Sequence, residues 1–328
     1  MNSMTRVEMT PVGTQSVQSY TREARSDLVK AIAGLVGAGS RVEADVPLSS
    51  RTTLRVGGPA DCFLTPESEE DLSRAVAWCH HHRIPWMVLG RGSNLLVRDG
   101  GIEGLVIHLN HPFFHRIENL GENRLLCGAG SRLRQVANAA RDHSVGGLEF
   151  LEGIPGSVGG ALRMNAGAMG GEIFDFLSSF RFLDSDGTIH ELDRDQVDYH
   201  YRSCPMLVDH VALSAVLTGT HSDSDSIRRR MKQSNEKRWS SQPAAPSAGC
   251  TFKNPARIPA GKLIEELGLK GASIGGARVS EVHGNFMVND GTARAADFLQ
   301  LIHLIQESAR TRAGIELHTE VQIVGVEP

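Results

Sequence analysis

Apolar and polar positions alternate between helical and extended periods along most of this chain. Ser68, followed three residues later by Asp71, makes a capping pattern, and Leu72, Ala75, Val76 and Cys79 then recur at helical spacing. Acids open that helix and His80, His81 and His82 close it, the order its dipole favours. Neighbouring helical residues point about 100° apart, so three adjacent histidines cannot converge on one metal ion. Trp86-Met87-Val88-Leu89 reads as a short buried strand and Leu95-Leu96-Val97 as another. Leu133, Val136, Ala137 and Ala140 mark a second amphipathic helix. Residues 173–220 read as strands and turns, with Asp184-Ser185-Asp186-Gly187 as a hairpin signal.

The polar stretch 221–240 predicts a helix that opens a second domain, ended by Gln242-Pro243-Ala244-Ala245-Pro246. Leu263, Ile264 and Leu267 then predict a short helix stopped by Gly268, and Ala295, Phe298, Leu299, Ile302 and Ile305 a longer one. From Ile315 to Val324 a period of two places Ile315, Leu317, Thr319, Val321 and Ile323 on one strand face. Glu316, His318, Glu320 and Gln322 share the other face, which is most simply a solvated one. Residues 1–25 are polar and aperiodic and predict a flexible tail.

Length and composition narrow the class. The 328 residues suggest two domains, at roughly 150 residues each. The 35 glycines stand out beside only 13 prolines, because the usual glycine share is about 7%; backbone must turn tightly or approach a ligand closely. A formal net charge of −4 argues against a nucleic-acid partner. Cys62, Cys79, Cys127, Cys204 and Cys250 never fall in a C-x-x-C spacing, which predicts reduced thiols rather than a disulfide frame or a zinc site. With no membrane-length apolar run and no signal-peptide core, the expectation is a soluble, cytoplasmic α/β protein.

Two glycine segments carry the first candidate chemistry. Gly90-Arg91-Gly92-Ser93-Asn94 lies between two predicted strands and lacks the third glycine and following helix of a dinucleotide-binding Rossmann turn. It reads as either a hairpin turn or a backbone nest for an anion. The stretch Gly153–Gly171 is denser in glycine and interleaves Ile154, Val158, Leu162 and Met164, as a loop wrapped against a ligand would. Tyr201-Arg202-Ser203 fits a carboxylate clamp or a surface salt bridge. Cys250, in Pro246-Ser247-Ala248-Gly249-Cys250-Thr251, is an inert filler or, beside a ligand, a nucleophile or proton donor.

Taken together, these segments resemble the bacterial UDP-N-acetylenolpyruvoylglucosamine reductase family (UDP-N-acetylmuramate dehydrogenase, MurB). The resemblance runs from about Asp27 to Glu327 through G-R-G-S-N-L-L-V (90–97), G-I-P-G-S-V-G-G-A (153–161), M-N-A-G-A (164–168), Y-R-S (201–203) and P-S-A-G-C-T-F-K-N-P (246–255). It continues through A-G-K-L-I-E (260–265), G-L-K-G (268–271), V-S-E-V-H-G-N-F-M-V-N (279–289) and G-I-E-L-H-T-E-V (314–321). The family order of all these motifs makes the match specific. It implies an α+β/α/β architecture: an FAD-binding fold of the vanillyl-alcohol-oxidase type in two subdomains, over residues 26–220, and a C-terminal α/β substrate-binding domain, over 221–328. The final strand would return Glu320 to the active site.

The resemblance also implies FAD as cofactor, NADPH as reductant and a nucleotide-sugar substrate, with no nucleic-acid or membrane partner and a monomeric state. Gly90, Arg91, Gly92, Ser93 and Asn94, with Gly153, Ile154, Pro155, Gly156, Ser157, Gly159, Gly160, Asn165 and Gly167, would cradle FAD. Arg202 would stabilise charge on the enolpyruvyl carboxylate, Glu320 would be protonated or orient that carboxylate, and Cys250 would protonate C2. Lys253, Asn254 and Asn285 would meet the sugar nucleotide, and Lys237 and Arg238 its diphosphate.

Three features depart from the commoner pattern. Cys250 stands in place of serine, Met169 where an aromatic is frequent, and no tyrosine-bearing insertion joins the domains, as in a shorter subclass. Two other readings compete: a sugar or alcohol oxidase, of the kind that often tethers flavin through a histidine, though His111 and His115 fit no such motif, and a nucleotide-sugar-binding or regulatory protein without turnover. The joint presence of Arg202, Glu320 and a proton donor argues against the last.

Overall fold

The computed structural model describes residues 22–328. Most of the expected tail, 1–21, lies outside the described residues, but its last part does not behave as a tail. Helix α1 (Arg22–Leu35) begins at Arg22 and buries Leu28 and Ile32. Arg25 Nε reaches to 3.0 Å from Oδ1 of Asp61, a carboxylate almost wholly withdrawn from water. Burial raises the pKa of Asp61, and the Gly104 backbone N–H and the Arg25 charge oppose that rise. A partner 36 positions downstream therefore orders residues whose local pattern is polar.

The strands Arg41–Pro47, Pro59–Thr65, Ile102–Ile107 and Trp86–Val88 form a four-stranded sheet in that order. Helix α2 (Glu69–His81) covers one face with Leu72, Ala75, Val76 and Cys79, all fully buried, and Ser68 Oγ accepts from Asp71 N at 3.2 Å. Trp86–Val88 is half-buried rather than buried, because Met87 and Val88 line a cleft. The strand Leu95–Val97 does not pair back onto Trp86–Val88; it runs parallel to Gln322–Val324. The Gly90–Asn94 turn is therefore no hairpin but a crossing between two sheets.

A five-stranded antiparallel sheet follows, ordered Ile189–Asp193, Leu177–Leu183, Val211–Thr218, Arg124–Gly128 and Ile117–Gly121. The expected hairpin at Asp184–Gly187 joins its first two strands. Helix α3 (Leu133–Asp142) buries Leu133, Val136, Ala137 and Ala140. The glycine-dense segment is not all loop, since α4 (Val158–Arg163) runs through it. Val158, Ala161 and Leu162 sit at i, i+3 and i+4 and are all buried, which is enough to fold one short helix around Gly159 and Gly160.

Helix α5 (Ser224–Ser241) starts on Asp223, whose Oδ1 accepts from Ser226 N at 2.8 Å. Its two buried residues, Ile227 and Met231, join the core of the larger unit, and Arg230 reaches Glu149 there. By packing, the helix goes with that unit rather than with the domain expected to open at 221. A separate core takes residues from Ala248 onward together with Leu54, Val56 and Leu96. Around it lie an antiparallel sheet (Ser247–Cys250, Phe286–Asn289, Ala277–Val279, Ser273–Ile274), α6 (Ala260–Glu266) and α7 (Ala295–Ala313).

The two units are tied directly. Both carboxylate oxygens of Asp99 accept from the first amides of α7, Ala295 N at 2.9 Å and Ala296 N at 3.0 Å. The final segment is not a ten-residue strand; only Gln322–Val324 pairs regularly. Upstream of it Thr319 makes one isolated antiparallel bridge to Phe252 and the chain bends at Glu320 and Val321, with Leu317 and Val321 buried and the backbone held where Lys253 N donates to His318 O (2.9 Å) and Glu320 N to Thr251 O (2.8 Å). Among the described residues no helix is long and apolar enough to cross a membrane.

Candidate active site

Between the larger unit and the C-terminal unit lies a cleft of about 460 Å³, within the size range of cofactor and ligand sites, roughly 300–1,000 Å³. One wall is the Gly90–Leu95 turn, Gly153–Ser157, Gly160, Ala166–Ala168 and Arg202. The other is the Gln242–Cys250 segment, Phe286, Glu320 and Gln322. A smaller cleft of about 110 Å³ shares Met87, Val88, Gly90, Ser157, Gly160 and Arg163 with it and adds Gly159 and His108. Burial and the charge of Arg51 press the His108 pKa down to about 4, so its imidazole is neutral.

The glycines shape the first wall in two ways. Gly92 has φ +60°, and a Cβ there would meet Arg51 O at 2.5 Å, so the turn closes against its neighbour only without a side chain. Gly153 and Gly160 are different. A Cβ at Gly153 would meet nothing within 4 Å, and at Gly160 only Ser157 Oγ at 3.5 Å. Their missing side chains leave backbone bare on an open wall. The loop itself is held by Leu133 N donating to Gly156 O (3.1 Å) and Val158 N to Ser131 O (3.0 Å). Asn94 does more than line the turn: its Nδ2 donates to Glu320 O (3.2 Å), and Gln322 N donates to Asn94 O (2.9 Å).

Arg202 and Glu320, 118 positions apart, meet across this cleft. Arg202 Nε donates to Glu320 Oε1 at 2.8 Å, and the two side chains are only 18% and 15% exposed. Arg202 Nη1 donates to Asn165 O (3.4 Å) and Nη2 to Gly167 O (3.2 Å), and its guanidinium lies 4.7 Å from the centre of the Tyr201 ring. Arg202 itself has φ +57°, a left-handed conformation that costs an L-residue about 1–2 kcal/mol. Surface salt bridges do not require such a corner, and the partly buried pair excludes that reading.

Cys250 sits beside the pair on the opposite wall. Burial and the Glu320 charge push its thiol from the ordinary 9.0 to about 12, while the Arg202 charge and an Asn285 side-chain hydrogen bond pull the other way. The thiol is therefore protonated at neutral pH. Asn285 is buried; its Oδ1 accepts from Phe252 N (2.9 Å), its Nδ2 donates to Phe252 O (2.8 Å), and its backbone O accepts from Thr251 N. It braces the Cys250 turn from behind and does not itself line the cleft.

Other expected residues also fall outside the cleft wall. Asn165 is fully buried, with Nδ2 donating to Glu172 Oε2 (2.7 Å) and to His200 O (3.3 Å). Lys253 uses its backbone N–H on His318, Asn254 Oδ1 accepts from Ala260 N (3.0 Å) at the start of α6, and Lys237 is exposed on α5. Arg238 does line the cleft, next to Trp239, whose ring centre is 5.6 Å from the guanidinium carbon. Trp239, Arg163, Thr53, Phe286 and Gln322 line it without having been singled out in the sequence. For Trp239 a signal existed, a lone tryptophan in the polar C-terminal half of α5.

Bare glycine backbone along one wall, with Arg91, Arg163 and Arg238 also facing the cleft, suits an elongated anionic dinucleotide such as FAD. The comparisons with known proteins agree. Residues 60–193 match an FAD binding domain family, and residues 242–324 match the C-terminal domain family of UDP-N-acetylenolpyruvoylglucosamine reductase. A UDP-N-acetylenolpyruvoylglucosamine reductase of Pelobacter propionicus is 42% identical over 285 residues, 87% of this chain and 96% of that one. One from Clostridium botulinum is 43% identical over 86% of this chain and 92% of its own. The crystal structure of UDP-N-acetylenolpyruvylglucosamine reductase from Thermus caldophilus superposes with a TM-score of 0.77 at 38% identity, covering 87% of this chain and all of that one.

Proposed function

The chain belongs to the UDP-N-acetylenolpyruvoylglucosamine reductase family, and from that premise we propose that it uses NADPH to reduce UDP-N-acetylglucosamine enolpyruvate to UDP-N-acetylmuramate, a step of peptidoglycan precursor synthesis. It is an FAD-dependent oxidoreductase. The Gly90–Asn94 and Gly153–Gly160 walls would hold FAD, which when bound would supply the two-electron carrier between NADPH and C3 of the enolpyruvyl group. The chain's own residues supply the rest.

Adding hydride at C3 leaves negative charge at C2 that spreads into the carboxylate. Three of the guanidinium N–H groups of Arg202 are taken by Glu320, Asn165 and Gly167; of about five such donors, the remainder are free to bind that carboxylate and its developing charge. Glu320 orients the guanidinium by accepting from Nε. Cys250 donates the proton to C2 from a thiol that stays protonated at working pH, and the charge left on sulfur is stabilised by Arg202 and the Asn285 hydrogen bond. Arg238, which lines the same cleft, is the side chain this reading would give to an anionic diphosphate, that of the substrate or that of FAD.

The observation that carries this reading is the Arg202–Glu320 pair bridging the two units beside a protonated Cys250. Anaerobic two-step spectroscopy tests it. NADPH should bleach the yellow holoprotein, and UDP-N-acetylglucosamine enolpyruvate should restore the colour. Bleaching without restoration would refute the reductase reading and favour an oxidase acting on another alcohol or sugar.

A further inference from the structure

Resting on the reductase reading above, we propose that Asn165 is a positioning residue for Arg202 and not a cofactor ligand. His200 and Ser203 exchange backbone hydrogen bonds, His200 N to Ser203 O at 2.8 Å and Ser203 N to His200 O at 3.1 Å, so Tyr201 and Arg202 are the corner of a tight turn. With φ positive at Arg202 and not at Tyr201, this corner is one that ordinarily takes glycine or asparagine at its second position. Arginine persists there only if its surroundings hold it.

Asn165 supplies that hold from both sides. Its Nδ2 donates to His200 O, the carbonyl that opens the turn, and its own main-chain O accepts from Arg202 Nη1. The same amide donates to Glu172 Oε2, while Oδ1 accepts from Phe174 N at 3.4 Å. Only a primary amide of this size offers two donors and an acceptor together. Glu172 completes the arrangement, its Oε1 lying 3.9 Å from Arg202 Nη1. Fully buried and itself at φ +39°, Asn165 fixes the guanidinium toward Glu320.

The test uses the Asn165→Asp holoprotein, in which an acceptor-only carboxylate faces Glu172 and His200 O. FAD content, the visible spectrum and bleaching by NADPH should stay within about twofold of wild type, while reoxidation by the enolpyruvyl sugar slows by about tenfold to a hundredfold. In an Arg202→Lys background the same substitution should cost less than about threefold more, because its target is already gone. Loss of FAD would make Asn165 a cofactor ligand and overturn the proposal. So would an undiminished penalty in the Arg202→Lys background. If Asn165→Asp does not fold, Glu172→Gln on the half-exposed partner should slow reoxidation by about threefold to tenfold with bleaching unchanged; no slowing overturns the proposal. A wild-type protein that is not reoxidised at all fails the reductase reading instead.

Discussion

The Arg202 and Cys250 corners meet the same demand by different means. Each presents one reactive side chain to the cleft, and each is braced by a buried asparagine that bonds backbone around it, Asn165 in one and Asn285 in the other. At the second corner Gly249 takes the left-handed conformation, φ +78°, and Cys250 next to it is relaxed. At the first, Arg202 takes it itself at φ +57°. A thiol is short and can be aimed by its neighbour's bend. A long guanidinium that must bond Glu320, Asn165 and Gly167 at once is aimed by the bend of its own backbone, and strain then falls on the functional residue.

Removing the reactive groups should separate the corners most strongly. Cys250→Ala should slow flavin reoxidation by substrate by about 10³-fold while sparing reduction by NADPH; equal loss in stopped-flow traces of both half-reactions would contradict a proton-donor role. Arg202→Ala should slow the same half-reaction by about 10²-fold, and substrate titration should show weaker binding as well, because the carboxylate loses its clamp. A kcat loss without any binding change would place Arg202 away from the carboxylate.

Strain should appear in stability rather than rate. Arg202→Gly and Arg202→Ala both lose the guanidinium, yet the glycine variant should be more stable by about 1–2 kcal/mol in denaturant unfolding. Gly249→Ala should lose a similar amount: a Cβ there meets only Ser93 O at 4.0 Å, so its cost is purely conformational, about 1–2 kcal/mol. Equal stability of the two Arg202 variants would erase the contrast between the corners.

The smallest effect is in pH. The Cys250 pKa is raised from 9.0 to about 12, so the folded state favours the neutral thiol. Stability from this group is complete below the ordinary value and is lost as pH rises from there through about 12. Reoxidation should accordingly show no loss from thiol ionisation between about pH 7 and about pH 10, and iodoacetamide should label Cys250 slowly at mildly alkaline pH. A falling limb near the ordinary thiol value would show a more exposed sulfur.

Much of the helical structure was legible because it rests on local periodicity. The buried stripes of α2 and α3 and the Gly268 stop after α6 follow from residues within one or two turns of each other. Where the structure departs from what the sequence suggests, the cause is shared too. Residues 22–25 read as tail, yet Arg25 is ordered by Asp61; Gly90–Asn94 allowed a hairpin, yet its second strand pairs with the far end of the chain. Asn165 sits inside a glycine-rich motif and reads as a ligand contact, but it turns inward to Glu172 and His200. Nothing in its neighbours marks that choice, because its partners are set by how the loop folds over the Arg202 corner.

By itself the sequence determined the alternation of elements, two glycine stretches, one closing a tight turn and one leaving backbone bare, and a family likeness dense enough to name a chemistry. Those depend on side-chain size, backbone freedom and short-range spacing, all written locally. Only the tertiary structure decided that Glu320 is no solvated strand residue. It reaches Arg202 because Asn94 and Thr251 hold its backbone from two separate units, and the same convergence buries Cys250 enough to keep its proton. Charge pairing and desolvation act through space, and the distances that set them exist only once the chain has folded.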